Sequence, residues 1–325
     1  MSARIHVRDI SAERGAKTQG WLTIGETASG PLRMPVVLIN GREDGPVLCV
    51  TAGVHATEYA PIDAVMRLLR MIEPDRLRGA VIGVPVTNMR MFEHRTGFTS
   101  PLDGLNLNRI APGRQEGSIS EMLADILLRE VIATAQYHID FHAGDLGEQL
   151  LPFAGYSLTG QRELDVQGEA LARAFTPRLI SLSTEDSTLP PFPGSLNHAA
   201  TRLGVVSILA EAGGNGTLDE RDVQTHLGGA ENVMRHLGMI DGRVQNGPRI
   251  AAKSRTVVRA RRAGLVRLKV AIGDTISLGQ ELAQIVNVFG DVVEHVSSPG
   301  AGLAGLIWTH KVVNTGDPIV RYWIT

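Results

Sequence analysis

Val47-Leu48-Cys49-Val50-Thr51-Ala52-Gly53-Val54-His55-Ala56-Thr57-Glu58 is the stretch that decides how this sequence folds. An apolar run of strand length passes directly into a histidine and, three residues on, a glutamate. On a helical turn, residues i and i+3 share a face, so one metal ion can take both side chains. A second run, Tyr137-His138-Ile139, leads into Asp140-Phe141-His142. A third, Val205-Val206-Ser207-Ile208-Leu209-Ala210, leads into Glu211-Ala212-Gly213-Gly214. Ligands of an open α/β sheet sit outside the carboxyl ends of its strands. His55, Glu58 and His142 therefore read as a metal site. Two histidines and a glutamate are the ligand set of a catalytic zinc, with the fourth position left for water.

Three further groups belong to the same reading. Glu211 ends the third run and is a candidate general base, able to take a proton and pass it to a leaving amine. The glycines after it read as room for a substrate against the backbone. Asp140, two residues before His142, is placed to orient a ligand. Asn108 and Arg109, in Gly104-Leu105-Asn106-Leu107-Asn108-Arg109, read as part of a loop on which Arg109 can grip a carboxylate. Arg95, on the same stretch, is a candidate for polarising a scissile carbonyl. The other histidines, His138 and His226 among them, have no comparable context and read as structural.

Around these motifs the pattern is one of alternating strands and amphipathic helices. Pro61 to Leu69 carries Ile62, Val65, Met66 and Leu69 at helical spacing, with Pro61 in the first turn. Gly79 to Val86 reads as a strand. Ser120 to Ala135 reads as a helix, with Ser118 and Glu121 as a capping box. Helices are also expected over Val166 to Phe175 and Asp219 to Leu237. This order predicts an α/β fold with a mostly parallel sheet covered on both faces. Residues 1–40 read as a small N-terminal β element, 41–245 as the catalytic domain and 246–325 as an all-β module. The last segment holds a weak repeat. Gly264-Leu265-Val266 leads to Ile272-Gly273-Asp274-Thr275-Ile276, and Gly302-Leu303-Ala304 leads to Thr315-Gly316-Asp317-Pro318-Ile319.

Composition removes several function classes. Lys plus Arg number 32 against 34 Asp plus Glu with no polybasic run, which argues against nucleic acid or an anionic membrane as partner. Aromatics are only 4%, too few for a stacking platform on single strands. No run reaches the roughly 18 apolar residues of a membrane helix. The first residues lack the apolar segment of a signal peptide. The single cysteine, Cys49, excludes an intramolecular disulfide and reads as a core residue. A cytoplasmic setting is expected, with homo-oligomerisation open.

In these motifs the sequence resembles the succinylglutamate desuccinylase/aspartoacylase family of the zinc carboxypeptidase superfamily. The resemblance rests on Gly53-Val54-His55-Ala56-Thr57-Glu58, Asn106-Leu107-Asn108-Arg109, Asp140-Phe141-His142 and Glu211-Ala212-Gly213-Gly214, in the family's order. It implies a zinc-carboxypeptidase-like mixed sheet sandwiched by helices. It implies His55, Glu58 and His142 as ligands of one zinc per chain, and Glu211 as the base. Asn108 and Arg109 match the pair that holds the substrate carboxylate or its neighbouring carbonyl, and Arg95 the carbonyl-polarising arginine. The C-terminal segment resembles the lipoyl-like β-barrel of the branch containing N-acetyl-diaminobutyrate deacetylases. Its hairpin, Val286 to Val292, has no lysine, so it is not expected to carry a covalent cofactor. The family has Gly then Asp or Asn where this sequence has Ala56-Thr57, which removes an acceptor near the ligands.

The expected activity is a zinc-dependent amidohydrolase that removes an acyl group from an N-acyl amino acid or related small amide. A zinc carboxypeptidase acting on peptide C-termini uses the same chemistry and stays open as an alternative. So does a non-catalytic binding protein that kept the fold. The C-terminal module is expected to cap the cleft.

Overall fold

The computed structural model describes residues 4–175, 179–183, 192–245 and 250–325. Among them, one large mixed sheet organises the molecule. Its middle is four parallel strands in the order Val206–Gly214, Tyr137–His142, Glu43–Thr51 and Arg78–Val84. Antiparallel strands extend both sides. Gly30–Asn40 and Ala16–Thr27 follow beyond Arg78–Val84. Beyond Val206–Gly214 come Glu148–Ser157, Gly302–Trp308, Pro318–Ile324 and Ser254–Arg259.

The apolar strand runs are buried on both faces, and alternate residues serve alternate cores. Leu48, Val50, Val81 and Ile139 face one core, beneath the helices Tyr59–Met71, Arg162–Ala174 and Glu220–His236. Cys49, Ile82 and Val84 face the other, beneath Ile119–Ile126 and Leu196–Arg202. Cys49 is thus a small core side chain, and burial pushes its thiol far above the usual range. Full burial of a Val, Leu or Ile side chain in these cores stabilises by about 1.5–3 kcal/mol.

Local signals act where the sequence places them. Pro61 falls in the first turn of its helix, where its missing N–H is not needed. The Glu121 carboxylate accepts from the Ser118 N–H at 2.8 Å at the start of Ile119–Ile126. That helix does not run straight to Ala135. A wider turn takes over at Leu127–Val131 and a tighter one at Ile132–Thr134. At Gly41 a Cβ would stand 2.1 Å from the Leu77 carbonyl oxygen, so the chain passes there only without a side chain.

The expected boundary at residues 245/246, together with Gly247 and Pro248, lies outside the described residues. From Ile250 onward every regular element is a strand. Some of these strands also continue the main sheet. Gly302–Trp308 pairs antiparallel with Glu148–Ser157, Leu306 opposite Leu150 and Trp308 opposite Glu148. Leu179–Ser183 pairs with Phe153 to Ser157, so the C-terminal strand covers the remaining part of the edge, at Glu148 to Leu150, which would otherwise keep unpaired backbone groups. A four-stranded sheet made of Val292–Ser297, Glu281–Val286, Gly264–Leu268 and Val312–Val313 contributes to a separate core with these strands. The weak repeat is visible in its turns. Asp274 accepts from the Ala271 N–H at 2.8 Å, and Asp317 from the Asn314 N–H at 2.7 Å. Residues 1–40 likewise join the main sheet through the pairing of Gly30–Asn40 with Arg78–Val84.

Candidate active site

Three neighbouring parallel strands end at one cavity of about 190 Å³. The Glu43–Thr51 strand continues through Ala52 to Gly53, whose φ of +66° turns the chain toward His55. Glu58 then occupies the position before the first residue of the Tyr59–Met71 helix. His142 closes its own strand, and Glu211 lies directly opposite it in register. His55, Glu58 and His142 are all buried.

The donor atoms of these three residues lie within 4.8 Å of one another. Glu58 joins them, with Oε1 2.9 Å from His55 Nδ1 and Oε2 2.9 Å from His142 Nδ1. The Ala143 N–H also donates to Glu58 Oε2 at 3.0 Å. The far nitrogens are held too. His55 Nε2 lies 3.0 Å from Asn106 Oδ1, an acceptor, so it carries the hydrogen and leaves the Nδ1 lone pair inward. His142 Nε2 lies 3.3 Å from Asp140 Oδ2. Burial works to raise Glu58, but the charges and hydrogen bonds of His142 and His55 outweigh it and hold it near 2. Burial opposes a charge on His142, yet Asp140 and Glu58 raise it well above the usual imidazole range. The cluster favours positive charge between two imidazoles and a carboxylate, which is what a divalent cation supplies.

The opposite wall carries the candidate base and the arginines. Glu211 Oε2 is buried without a hydrogen-bond partner among the described residues. Burial raises its carboxyl well above the usual range. Glu58 and Glu148 add to the shift, while His142 and Arg321 oppose it. Burial also raises Glu148, which lines the same cavity. Arg109 and Arg321 line it as well, and Phe192 lies 4.8 Å from the Arg109 guanidinium. Arg255 lies 4.9 Å from the same ring. Burial, then the charges of Arg321 and Arg109, bring Arg255 down to about 9. Arg109 and Arg321 thus line the site with Arg255 behind Phe192, and Arg255 and Arg321 each have a buried nitrogen without a hydrogen-bond partner among the described residues.

The sequence-derived candidates are not all brought together. Asn108 lines the cavity, but its amide is engaged. Oδ1 accepts from the Leu196 N–H at 2.9 Å, and Nδ2 lies 3.3 Å from His142 Nε2. Arg95 is exposed, in the left-handed position that ends the Met89–His94 helix, and is not among the residues lining this cavity. Gly213 and Gly214 serve a different need from the one expected. A Cβ on Gly214 would meet the Glu148 carbonyl oxygen at 2.1 Å, so the close neighbour is the adjacent strand rather than a substrate. Thr57 is fully buried and donates to Asp145 Oδ1. Asp145 also accepts from the Phe98 N–H at 2.7 Å, which fixes a residue of the cavity wall.

The profile of the succinylglutamate desuccinylase/aspartoacylase catalytic domain matches residues 44–237. The chain belongs to the succinylglutamate desuccinylase/aspartoacylase family. Within that family it is similar to the N-alpha-acetyl-L-2,4-diaminobutyric acid deacetylase of Halomonas elongata, 29% identical over 269 residues. That match covers 81% of this chain and 77% of the relative. The fold is shared with the product-bound ectoine utilization protein EutE (DoeB) from Ruegeria pomeroyi, at a TM-score of 0.89, 24% identity and 98% coverage of both chains. It is shared also with a succinylglutamate desuccinylase/aspartoacylase from Rhodobacter sphaeroides, at 0.86, 24% and 99% of both chains.

The family span stops before the C-terminal strands, yet Leu306 and Arg321 reach the cavity from beyond it. Sequence reasoning missed Arg321, Glu148 and Asn106. A charged residue between Val320 and Tyr322 in an apolar strand was the available signal for Arg321. Asn106 and Glu148 sit beside recognised motifs and carry no pattern of their own. No helix among the described residues is long and apolar enough to cross a membrane.

Proposed function

We propose that this desuccinylase/aspartoacylase-family chain is a zinc-dependent amidohydrolase that removes an acyl group from a small, carboxylate-bearing N-acyl amino acid or related amide. One observation carries the reading. His55, Glu58 and His142 converge at the ends of adjacent strands with Glu211 in the same cavity.

His55 Nδ1, the Glu58 carboxylate and His142 Nδ1 would hold one zinc ion, and their donor set suits that metal. Bound there, zinc supplies Lewis-acid activation of water and of the amide carbonyl. Glu211 takes a proton from the attacking water and returns it to the departing nitrogen. Its raised affinity for a proton suits the second half of that exchange. Arg109 and Arg321 bind the substrate carboxylate and face the developing negative charge, a role expected of Arg95 that its exposed position does not support. Asn108 fixes the wall between Leu196 and His142. Leu306 and Arg321 make the C-terminal strands, the counterpart of a lipoyl-like barrel, part of the site's cap. A cavity of this size favours a small amide over a polypeptide terminus. The name of the Halomonas relative supports an acyl amino acid. The buried thiol of Cys49 is consistent with a cytoplasmic setting.

The test is a screen of N-acyl amino acids with zinc-loaded protein, scored by released amine. Turnover of acyl amino acids and none of peptides is the expected result. Peptide turnover alone would replace this reading with a carboxypeptidase.

A further inference from the structure

Beneath the site, a line of buried polar side chains crosses three strands and a helix. Asn197 Nδ2 donates to Ser207 Oγ at 3.2 Å. Ser207 Oγ lies 2.8 Å from His138 Nδ1. His138 Nε2 lies 2.9 Å from Thr51 Oγ1, which donates to Asp140 Oδ1 at 2.7 Å. Asp140 Oδ2 lies at an ion-pair distance of 3.3 Å from His142 Nε2 and is otherwise a buried oxygen without a hydrogen-bond partner among the described residues. All of these residues are buried. The strand pairing explains the line. His138 stands opposite Ser207 on one side, and Asp140 opposite Thr51 on the other. His138, Asp140 and His142 recur at the two-residue period of one sheet face, so the line climbs toward the strand end.

We infer that Asn197, Ser207, His138 and Thr51 are positioning residues that fix the tautomer of His142 through Asp140, so that His142 presents Nδ1 to the metal. This rests on the metal site proposed above. The direction of the hydrogen bonds follows from the last acceptor. An ionised carboxylate only accepts, so Thr51 gives its hydrogen to Asp140. The Thr51 oxygen must then accept from His138 Nε2–H. His138, neutral at ordinary pH because burial lowers it to about 4, is left with an Nδ1 lone pair. That lone pair accepts from the Ser207 hydroxyl, whose oxygen accepts from Asn197. Reversing any bond sets two lone pairs face to face at Thr51 and Asp140. With Oδ1 so engaged, Asp140 Oδ2 is left as the unpaired buried acceptor 3.3 Å from His142 Nε2, placed to take its hydrogen. The opposing influence is Asn108 Nδ2, a donor 3.3 Å from the same nitrogen, which alone would select the other tautomer.

The test is the zinc dissociation constant of the full chain, by competition with a chromophoric chelator, for wild type, Thr51→Val, Ser207→Ala and Thr51→Ser. Outer hydrogen-bond partners of metal ligands are typically worth about 10–100-fold in affinity. Thr51 bonds Asp140 rather than the ligand, so Thr51→Val should lose affinity toward the low end of that range, about 10-fold, Ser207→Ala in the same direction but by less, and Thr51→Ser should restore it. A long-range proton–nitrogen spectrum of zinc-loaded wild type should show His138 protonated on Nε2 and His142 on Nε2. That measurement decides the matter without a variant if Thr51→Val does not fold. Wild-type affinity in folded Thr51→Val and Ser207→Ala, or a proton on His138 Nδ1, overturns the inference while leaving the metal site standing. A wild-type chain that binds no zinc overturns both.

Discussion

Glu211 stands opposite His142 in the register of two neighbouring parallel strands. Residues so paired share a face of the sheet, and the strands lie roughly 4.8 Å apart. The candidate base is thereby held beside a candidate metal ligand by backbone hydrogen bonds rather than by a loop. Such a scaffold fixes geometry at the precision that proton transfer requires.

Glu211→Gln keeps the shape of the side chain and removes its basicity. The variant should fold, bind zinc as wild type does, and lose roughly 10²–10⁴-fold in kcat. Steady-state kinetics beside metal analysis checks this. A kcat close to wild type would take the base role from Glu211.

Arg321 enters the cavity from the C-terminal strands, whereas Arg95 stays at the surface. Charge-assisted hydrogen bonds contribute about 1.5–3 kcal/mol each, so Arg321→Ala should lower kcat/KM by roughly 10–100-fold. Arg95→Ala should leave it unchanged. The reverse pattern would restore the role that the sequence motif suggested for Arg95.

Residues 250–325 should not be removable. Their loss uncovers the edge at Glu148, Gln149 and Leu150 and takes Trp323 away from Phe153, whose rings lie 5.5 Å apart. A chain ended at residue 245 should aggregate or melt far below the full chain. A soluble truncation with a sharp thermal transition would show instead that the catalytic part folds alone.

Acid should destabilise the fold through two histidines. Burial lowers both His138 and His226 to about 4. The folded values lie below the unfolded one, near 6.5, so the unfolded chain takes up protons first as pH falls. This contribution is whole above about pH 6.5 and is lost toward about pH 4, at up to about 1.4 kcal/mol per pH unit for each histidine. Urea midpoints at about pH 7.5 and about pH 5 should differ less for His226→Gln than for wild type. An equal difference would remove His226 from the acid response.

Much of the site was legible because its residues sit in apolar strand runs whose ends are marked by sequence. His55, Glu58, His142 and Glu211 each follow such a run, and register brings the ends together. The C-terminal strands were legible as strands from their Val, Ile and Gly content. Their joining to the main sheet was not, because it depends on which edge Glu148–Ser157 leaves open. Arg321 and Arg95 show the same limit. Whether an arginine reaches a cavity depends on long-range pairing in one case and on a single left-handed residue in the other. Gly213 and Gly214 carried a signal of close approach, but sequence could not say that the approaching groups were the Asp222 side chain at Gly213 and the Glu148 backbone at Gly214.

Whether His55, Glu58 and His142 form one zinc site is answered by metal analysis of purified wild type and of His55→Ala/His142→Ala. Wild type should hold about one zinc per chain, from three protein ligands. The double variant should hold none and keep its fold. Stoichiometric zinc in the folded double variant, or none in wild type after zinc loading, would contradict that site.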